Sequence, residues 1–282
     1  MVLGQERVEF SIIVVCLNAG ERLRITVDSI LGQSYGGYEI LVKDGMSTDG
    51  SLDRLPEDAR IRALRRKDRG IYDAMNQAVE EAKGRYIYFL NCGDVFFDGE
   101  ALQRVKGHIR ETEKEGKREE GASRYVFYGD IYERLTGQRV ASNPAIDAFG
   151  CYRNVPCHQA CFYGAGLMRD KGFDLRYRVR ADYEHFLWCF FQGGAEMVYM
   201  PELVANYEGG GFSETKANRK ASAREHREIV GRYMSRGQVW KYRAIMALTL
   251  APLRTWLAGN RLTARVYQWG KGLVYGRGGK CS

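Results

Sequence analysis

Short apolar runs alternate with segments of helical periodicity along the first third of the chain. Apolar side chains recur at spacings of three and four within 21–32 and 71–83, which predicts two helices, the second stopped by Gly84. Four mostly apolar, β-branched runs are typical of strands buried on both faces of a sheet: 10–17, 38–42, 61–64 and 85–90. Strands that alternate with helices predict βαβ units and an open, parallel, doubly wound α/β sheet.

Beyond residue 100 the pattern is less regular. A charged run at 111–120 is expected to be a solvated helix end or a loop. Strands are predicted at 125–130 and 139–141, where they would form an antiparallel pair, and a helix at 182–192. Residues 207–213 form a glycine-rich loop, and a basic tail follows it.

Composition and charge narrow the class of protein. The chain has 282 residues, of which 45% are hydrophobic and 28% charged, and this excludes a disordered tail, a collagen-like fibre and a disulfide miniprotein. The net charge of +8 is unevenly distributed, because residues 216–282 hold fifteen Lys and Arg against only Glu225 and Glu228. A body of charge −5 with a tail of charge +13 predicts an anionic partner.

The cysteines and the N-terminus predict a cytoplasmic location. Seven cysteines are an odd number, and the first ten residues contain no apolar core of a signal peptide, so reduced thiols are expected. The longest apolar stretch, 244–253, is about half the length of a membrane span.

Polar residues follow three of the predicted strands. Asn18, Asp44 and the segment 91–94 lie at strand ends, and open α/β sheets bind ligands at the carboxyl ends of their strands. Turns and helix caps use the same residue types, so each position alone is open to a purely structural interpretation.

Five motifs along the chain together point to a family. In order they are VKDGMSTDG at 42–50, KDRGIYDAMNQA at 67–78, YFLNCGD at 88–94, CHQACFY at 157–163 and FDLRYRVRADYE at 173–184. Between Phe10 and Ser213 the chain resembles the family 2 nucleotide-sugar glycosyltransferases, which have the GT-A fold. The resemblance is greatest to the bacterial branch that builds O-antigen, colanic acid and capsular polysaccharide.

The resemblance implies a set of residues that bind the nucleotide sugar. Asp44 matches the position that recognises the base, where a carboxylate accepts the imide N–H of uracil, and Asp68 matches a position beside the diphosphate. His158 matches a position near the diphosphate and the acceptor, where an imidazole ligates a metal or hydrogen-bonds a phosphate. A histidine packed in the core is the alternative interpretation. The full predicted set is Asn18, Asp44, Asp68, Gly70, Asn91 and His158.

The resemblance also implies a metal and a base. Asp94 matches the metal-binding end of the D-x-D signature, where Mg²⁺ or Mn²⁺ offsets the charge of the leaving diphosphate. Here that signature is Asn91-Cys92-Gly93-Asp94, so one carboxylate remains and a weak metal site is expected. Asp182 matches the catalytic base of an inverting transfer; a helix N-cap is its structural alternative.

The sequence departs from the family pattern beside the nucleotide site. Gly45 replaces the usual second Asp of the DDGS motif, and Met46 replaces the following Gly, so a side chain is expected near the nucleotide. Arg66 and Lys67 stand where an acid is common, and they either pair with phosphate or face solvent.

Two other features carry alternative interpretations. Cys151, Cys157, His158 and Cys161 are residue types that hold structural zinc, although their spacing matches no standard zinc knuckle. The glycines 209–211 together with Ser213 form either a mobile loop that closes over the diphosphate or a plain linker.

The basic tail has three interpretations. Leu262, Val266, Trp269 and Leu273 form a helical apolar stripe beside Arg261 and Arg265, and the apolar segment 244–257 is interrupted by Pro252. Basic amphipathic helices with Trp favour anionic membrane surfaces, and packing on the catalytic domain is the second interpretation. Nucleic-acid binding, or a zinc-stabilised binding protein, is the alternative function that uses this tail.

The predicted organisation therefore has three parts. Residues 1–100 form the nucleotide-sugar-binding half of a GT-A domain, 101–215 the acceptor-binding half, and 216–282 a basic helical extension. The predicted activity is transfer of a sugar with inversion, and a UDP-sugar is the first choice of donor. The predicted acceptor is a hydroxyl of a polyprenyl-diphosphate-linked saccharide in bacterial surface polysaccharide synthesis. The enzyme would lie on the inner face of the cytoplasmic membrane and would bind no nucleic acid.

Overall fold

A computed structural model describes residues 8–115, 124–209 and 216–249 of the chain. Two compact units are present, Met1–Ile229 and Val230–Ser282. The first unit contains one mixed sheet with the strand order β3-β2-β1-β4-β8-β6-β9-β5, and β7 pairs with β6 outside this path. The strands are β1 (Phe10–Cys16), β2 (Tyr38–Asp44), β3 (Ile61–Arg65), β4 (Tyr86–Phe89), β5 (Val95–Phe96), β6 (Tyr125–Glu133), β7 (Gln138–Val140), β8 (Cys161–Gly164) and β9 (Glu196–Tyr207).

The first four strands form the predicted parallel sheet. β1 pairs in parallel with both β2 and β4, and β2 pairs in parallel with β3. The crossovers β1-α1-β2 and β3-α2-β4 run in opposite directions along the sheet, through helices α1 (Glu21–Leu31) and α2 (Ile71–Glu81). Since such crossovers are right-handed, the two helices cover opposite faces and leave a crevice at the carboxyl ends of β1 and β4.

The rest of the sheet is not parallel throughout. β8 is antiparallel to both β4 and β6, whereas β9 is parallel to β6 and antiparallel to β5. The predicted antiparallel pair is confirmed as β6 and β7. The pattern of the sequence did not predict β5, β8 or β9.

Six further helices complete the described part of the chain. They are α3 (Ala101–Glu115), α4 (Ala148–Arg153), α5 (Ala165–Asp170), α6 (Ala181–Phe191), α7 (Lys216–Tyr233) and α8 (Arg236–Leu248), with short 3₁₀ turns at Leu52–Arg54 and His158–Ala160. The charged run 111–120 is a helix end up to residue 115, and its remainder lies outside the described residues. The helix predicted at 182–192 is α6.

One face of the sheet carries a hydrophobic core. Alternate residues of β1 are completely buried on this face, together with one side of α1 and one side of α3. The members of this cluster on the three elements include Phe10, Ile12, Val14, Leu23, Val27, Ile30, Leu102, Val105 and Ile109.

Helix α2 ends earlier than its pattern predicted, and Gly84 is not its stop. The helix ends at Glu81 with an extended residue after it. Gly84 instead packs against β1, where a Cβ would lie 2.4 Å from the backbone nitrogen of Ser11. Its predicted role as a C-terminal stop is wrong, because the glycine is required for a close approach of two backbones.

The predicted boundary at 215/216 coincides with the start of α7, but the first unit extends through most of this helix to Ile229. In the second unit, α8 begins with a capping box between Ser235 and Gln238. No described helix is long and apolar enough to span a bilayer. The predicted stripe from Leu262 to Leu273, its flanking Arg261 and Arg265, and Pro252 lie outside the described residues.

Candidate functional site

A cleft of about 1160 Å³ opens in the first unit. Its lining includes the segment after β4, the start of α2, the start of α6 and the end of β9. Four of the predicted site residues line this cleft, namely Asn91, Asp94, His158 and Asp182. The other four, Asn18, Asp44, Asp68 and Gly70, are not among its lining residues.

Asp94 lies directly between β4 and β5 and is only 4% exposed. One carboxylate oxygen accepts from the backbone N–H of Glu208 at 2.9 Å, and the other accepts from the Gln159 side-chain amide at 3.0 Å. Thr26 fixes the backbone here, because its hydroxyl donates to the Asp94 carbonyl and accepts from the Gly93 N–H. Burial raises the pKa of Asp94 to about 6, because its desolvating effect exceeds the opposite effect of the two hydrogen bonds that the carboxylate accepts.

The residues around Asp94 fit a hard divalent cation that takes its other ligands from a substrate. Within the described residues the buried amide oxygen of Asn91 accepts no hydrogen bond, and the carboxylate of Glu208, which pairs with Arg22, is near enough to raise the pKa of Asp94. Oxygen donors of this kind suit Mg²⁺ and Mn²⁺. Among the described residues, no three His, Cys, Asp or Glu side chains cluster closely enough to hold a metal. A metal site at Asp94 stays a prediction.

Asp182 lies in the first turn of α6, where a helix N-terminus favours negative charge. The phenol of Tyr72 on α2 donates to its Oδ1 at 2.8 Å. Within the described part of the chain, Oδ2 accepts no hydrogen bond and remains available to a substrate. The N-cap of α6 is Arg180, so the structural alternative for Asp182, a capping role, is wrong.

His158 forms part of the cleft lining and packs among aromatic rings. Its ring stacks on Phe89 with 4.9 Å between centroids and meets Phe173 edge-on. Neither ring nitrogen has a hydrogen-bond partner among the described residues. Burial lowers the pKa of His158, so the imidazole is neutral at pH 7 and offers a lone pair and an N–H.

The loops at the ends of β1 and β2 hold each other in place. The Asn18 side chain accepts from the Thr48 N–H at 2.9 Å, and the Asn18 N–H donates to the Ser47 hydroxyl. Asp44 is completely buried, and its carboxylate accepts from the N–H groups of Met46 and Ser47. Because these oxygens are used inside the loop, the predicted contact of Asp44 with a base stays a prediction that this structure does not display.

A buried lysine that the motifs did not single out connects the nucleotide loops. Lys43 has no exposed surface and donates to the Arg66 carbonyl at 2.6 Å and to the Asp68 carboxylate at 2.9 Å. Asp68 in turn accepts from the N–H of Gly70, whose φ of +131° favours glycine before α2. Asp68 therefore joins β2 to the start of α2, while Arg66 and Lys67 are exposed to solvent.

The zinc interpretation is wrong for the described structure. Cys157 donates to the Gln159 side chain and Cys161 to the Cys157 carbonyl, and these residues form no metal-binding cluster with Cys151 or His158. Burial raises the pKa of all three thiols, so they are inert. Of the glycine-rich loop, Gly209 lines the cleft, whereas residues 210–213 lie outside the described residues.

Sequence reasoning missed three residues that shape the site, namely Lys43, Tyr72 and Glu208. Lys43 and Tyr72 lie inside quoted motifs, so their neighbours on the chain were a usable signal. Glu208 follows β9, and nothing in its local pattern distinguishes it.

Comparisons with known proteins agree with this geometry. The model of the family described as Glycosyl transferase family 2 matches residues 11–174. A PGL/p-HBAD biosynthesis glycosyltransferase of Mycobacterium bovis is 37% identical over 73% of this chain and 79% of that protein. A UDP-Glc:alpha-D-GlcNAc-diphosphoundecaprenol beta-1,3-glucosyltransferase, WfaP of Escherichia coli, is 36% identical over 65% of this chain and 70% of that protein.

Solved structures share the fold at low sequence identity. S. aureus TarS 1-349 in complex with UDP-GlcNAc has a TM-score of 0.60 at 15% identity, covering 83% of this chain and 70% of that chain. The mannosyltransferase PcManGT from Pyrobaculum calidifontis, in complex with GDP-Man and Mn²⁺, has a TM-score of 0.61 at 17% identity, covering 94% and 80%. In another TarS 1-349 structure the chain spans 60% of that chain's length. The predicted GT-A fold is confirmed.

Proposed function

The chain belongs to glycosyl transferase family 2, and from this membership we propose that it transfers a sugar, with inversion, from a nucleoside diphosphate sugar to a saccharide hydroxyl. One observation carries the proposal. Asp182, with one oxygen held by Tyr72 and the other available, lines the same cleft as Asp94. The proposed base and the proposed anchor for the diphosphate therefore line one cleft.

The proposed chemistry is a single displacement. The acceptor hydroxyl loses its proton to Oδ2 of Asp182 while its oxygen attacks the anomeric carbon of the donor. The bond between that carbon and the diphosphate oxygen breaks, and the nucleoside diphosphate leaves with the electron pair. Attack from the face opposite the leaving group inverts the anomeric configuration. Tyr72 holds the carboxylate of Asp182 in place for this transfer.

Asp94 would hold Mg²⁺ or Mn²⁺ together with the donor diphosphate, and the cation, when bound, would offset the charge of the leaving group. Asn91 contributes to the same wall an amide oxygen with no partner among the described residues, and the neutral His158 offers a hydrogen bond to a phosphate. Asp44, Asp68, Gly70 and Asn18 would shape the loops that receive the nucleotide.

The relatives support the choice of donor and acceptor. WfaP is named for UDP-glucose and a diphosphoundecaprenol-linked sugar, and TarS is solved with UDP-GlcNAc. We therefore place a UDP-sugar first as donor and a polyprenyl-diphosphate-linked saccharide first as acceptor, in bacterial surface polysaccharide or glycolipid synthesis. A GDP-sugar is the second donor class, since PcManGT is solved with GDP-Man.

Thermal unfolding with nucleotide sugars tests the donor. The melting temperature should rise with one class among UDP-, GDP- and dTDP-sugars, and more so with Mn²⁺. Asp182→Asn should keep this response and lose transfer by at least about 100-fold, because it removes only the base. Asp170→Asn, which alters an exposed carboxylate at the end of α5, is the matched control. Stabilisation by nucleic acid alone, with no response to any nucleotide sugar, would contradict the proposal.

We propose that the enzyme works on the inner face of the cytoplasmic membrane, with α8 as one contact. Trp240 and Leu248 are 75% and 83% exposed, and they lie near one face of this helix. The exposed Arg236, Lys241 and Arg243 lie on the same helix. Exposed Trp and Leu beside cations fit an anionic lipid surface, which would bring the cleft to a lipid-linked acceptor.

Co-sedimentation of the full chain with vesicles tests this placement. Phosphatidylglycerol-containing vesicles should bind the wild type, and Trp240→Ser/Leu248→Ser should bind at least about tenfold more weakly, since two large apolar side chains no longer insert. Leu135→Ser/Leu175→Ser removes two exposed apolar side chains elsewhere and should bind normally. Equal binding by both double variants would exclude α8 as the contact.

A further inference from the structure

A carboxylate on α7 receives three consecutive backbone N–H groups. Glu225 accepts from Arg178 at 3.1 Å through Oε1, and from Val179 at 3.0 Å and Arg180 at 2.9 Å through Oε2. The residue is only 3% exposed. Convergent amides of this kind stabilise a buried anion, and the anion in turn fixes the backbone that carries them.

The three amides belong to the turn that leads into α6. Arg180 is the N-cap of this helix, and its carbonyl accepts the first helical hydrogen bond, from Glu184. Asp182 follows two residues later. On the other side of the turn, the Tyr72 hydroxyl that donates to Asp182 also lies 2.9 Å from the Val179 carbonyl oxygen. Glu225 and Tyr72 therefore bracket the backbone that sets the position of Asp182.

Two further contacts attach the same turn to α7. The Arg180 guanidinium donates to the Ser222 hydroxyl at 2.7 Å, and the Tyr177 hydroxyl donates to Glu228 at 3.1 Å. Glu225 and Glu228 are the two acids of the otherwise basic segment 216–282, and both contact residues of 177–180. All these residues belong to the first compact unit.

We propose that Glu225 is a positioning residue for transfer: it holds the 178–180 turn so that Asp182 faces the acceptor. This role rests on the proposed function, in which Asp182 is the base. Glu225 does not line the cleft and acts through the backbone. The family match ends at residue 174, so both the base and the residue that positions it lie beyond the matched region.

Steady-state kinetics and amide hydrogen exchange test the proposal on the full chain. Glu225→Gln keeps the shape of the side chain but replaces one acceptor oxygen with an NH₂ group. We expect kcat to fall at least about tenfold, since small misplacements of a reacting group are costly, with the donor KM within about twofold. The amides of 178–180 should exchange at least about tenfold faster.

Glu111→Gln is the matched control, because it makes the same substitution at an exposed position on α3 that does not line the cleft. It should leave both kcat and the exchange of 178–180 within about twofold of wild type. If Glu225→Gln unfolds at the assay temperature, Glu225→Asp, which keeps the charge but shortens the reach, takes its place in both measurements.

The outcomes separate this proposal from the proposed function. Faster exchange at 178–180 with an unchanged kcat would overturn the positioning role while leaving the transferase intact. Unchanged exchange would show that Glu225 does not hold the turn. A wild-type chain that transfers no sugar would contradict the proposed function, and the exchange data would still report on the contact.

Discussion

Tyr72 and Asp182 are joined by one hydrogen bond of 2.8 Å, and the charge of Asp182 adds to burial in raising the pKa of the phenol. The phenol therefore stays protonated and can only donate to the carboxylate. A donor fixed on Oδ1 leaves Oδ2 as the oxygen that receives a proton.

Tyr72→Phe tests this arrangement. We expect kcat to fall about tenfold with little change in the donor KM, because the carboxylate loses one charge-assisted hydrogen bond and becomes free to rotate. Tyr86→Phe is the control, since it removes a similar hydrogen bond of 2.7 Å to Glu113 away from the cleft. Equal losses in both variants would assign the effect to general destabilisation.

Met46 has φ of +76°, in the left-handed region that side chains with a Cβ rarely adopt. We expect Met46→Gly to raise the free energy of unfolding by about 0.5–1 kcal/mol, since the relief of strain exceeds the added freedom of the unfolded chain. Met46→Ala keeps the Cβ and should gain nothing. Urea denaturation of the three proteins measures the difference, and a gain in the alanine variant would refute the backbone explanation.

Sequence reasoning located some site residues and missed others for a physical reason. Asp94 and Asp182 each follow a recognisable signal, a strand end and a helix start, so motifs find them. Asp44 has the same kind of signal, yet its oxygens are used by its own loop, because short carboxylates cap turns as readily as they bind ligands. Glu225 contacts residues about 46 positions earlier, a distance that no local pattern encodes.

At the scale of elements, strands buried on both faces were the easiest to predict. β1, β2 and β4 are buried along almost their whole length, and they lie where the apolar runs predicted them. β9 contains Pro201 and mostly half-buried residues, and β8 has only four residues, so neither has a strand-like period. Tertiary pairing on both sides of these strands decides their conformation.

Two glycines allow a matched test of backbone packing. Gly84→Ala should lower the free energy of unfolding by about 3 kcal/mol or prevent folding, because its Cβ would lie 2.7 Å from the Phe10 carbonyl carbon. Gly107→Ala, inside α3 with no atom from outside the local helix within 4 Å of the new Cβ, should raise it by up to about 1 kcal/mol. Denaturant midpoints measure both, and a tolerated Gly84→Ala would contradict the close approach to β1.

At the scale of the whole molecule, a buried histidine makes stability depend on pH. Burial lowers the pKa of His185 to about 3, below the 6.5 of an unfolded histidine. The unfolded chain therefore binds the extra proton first as the pH falls below 6.5, and stability is lost from there downward. The loss from this one residue between pH 6.5 and 4.5 is about 2–3 kcal/mol.

His185→Leu should flatten the pH dependence of unfolding in this window, because the proton no longer has a site in the unfolded chain. Phe186→Leu, at a buried neighbouring position on α6, should leave the slope unchanged, since neither side chain titrates. Urea denaturation at half-unit intervals between pH 4.5 and 7 supplies the slopes. An unaltered slope in the leucine variant would show that other groups control acid stability.

The position of α7 changes the interpretation of the charge distribution. The basic segment predicted an anionic partner, yet its two acids point inward to the turn before α6. The start of this segment is therefore part of the catalytic unit, whereas the exposed Trp240 and Leu248 on α8 remain for a surface.

The strand order has a consequence for engineering new specificities. β5, which directly follows Asp94, pairs with β9 from the second half of the chain, and β4 pairs with β8. A chimaera joined near residue 100 would combine strands from two proteins at the β4–β8 and β5–β9 pairs, and β5 adjoins Asp94. We therefore expect acceptor preference to be altered better by exchanging the cleft-lining segment 140–156 as a graft. Such a graft touches only the end of β7 and leaves every strand pair among the other eight strands intact.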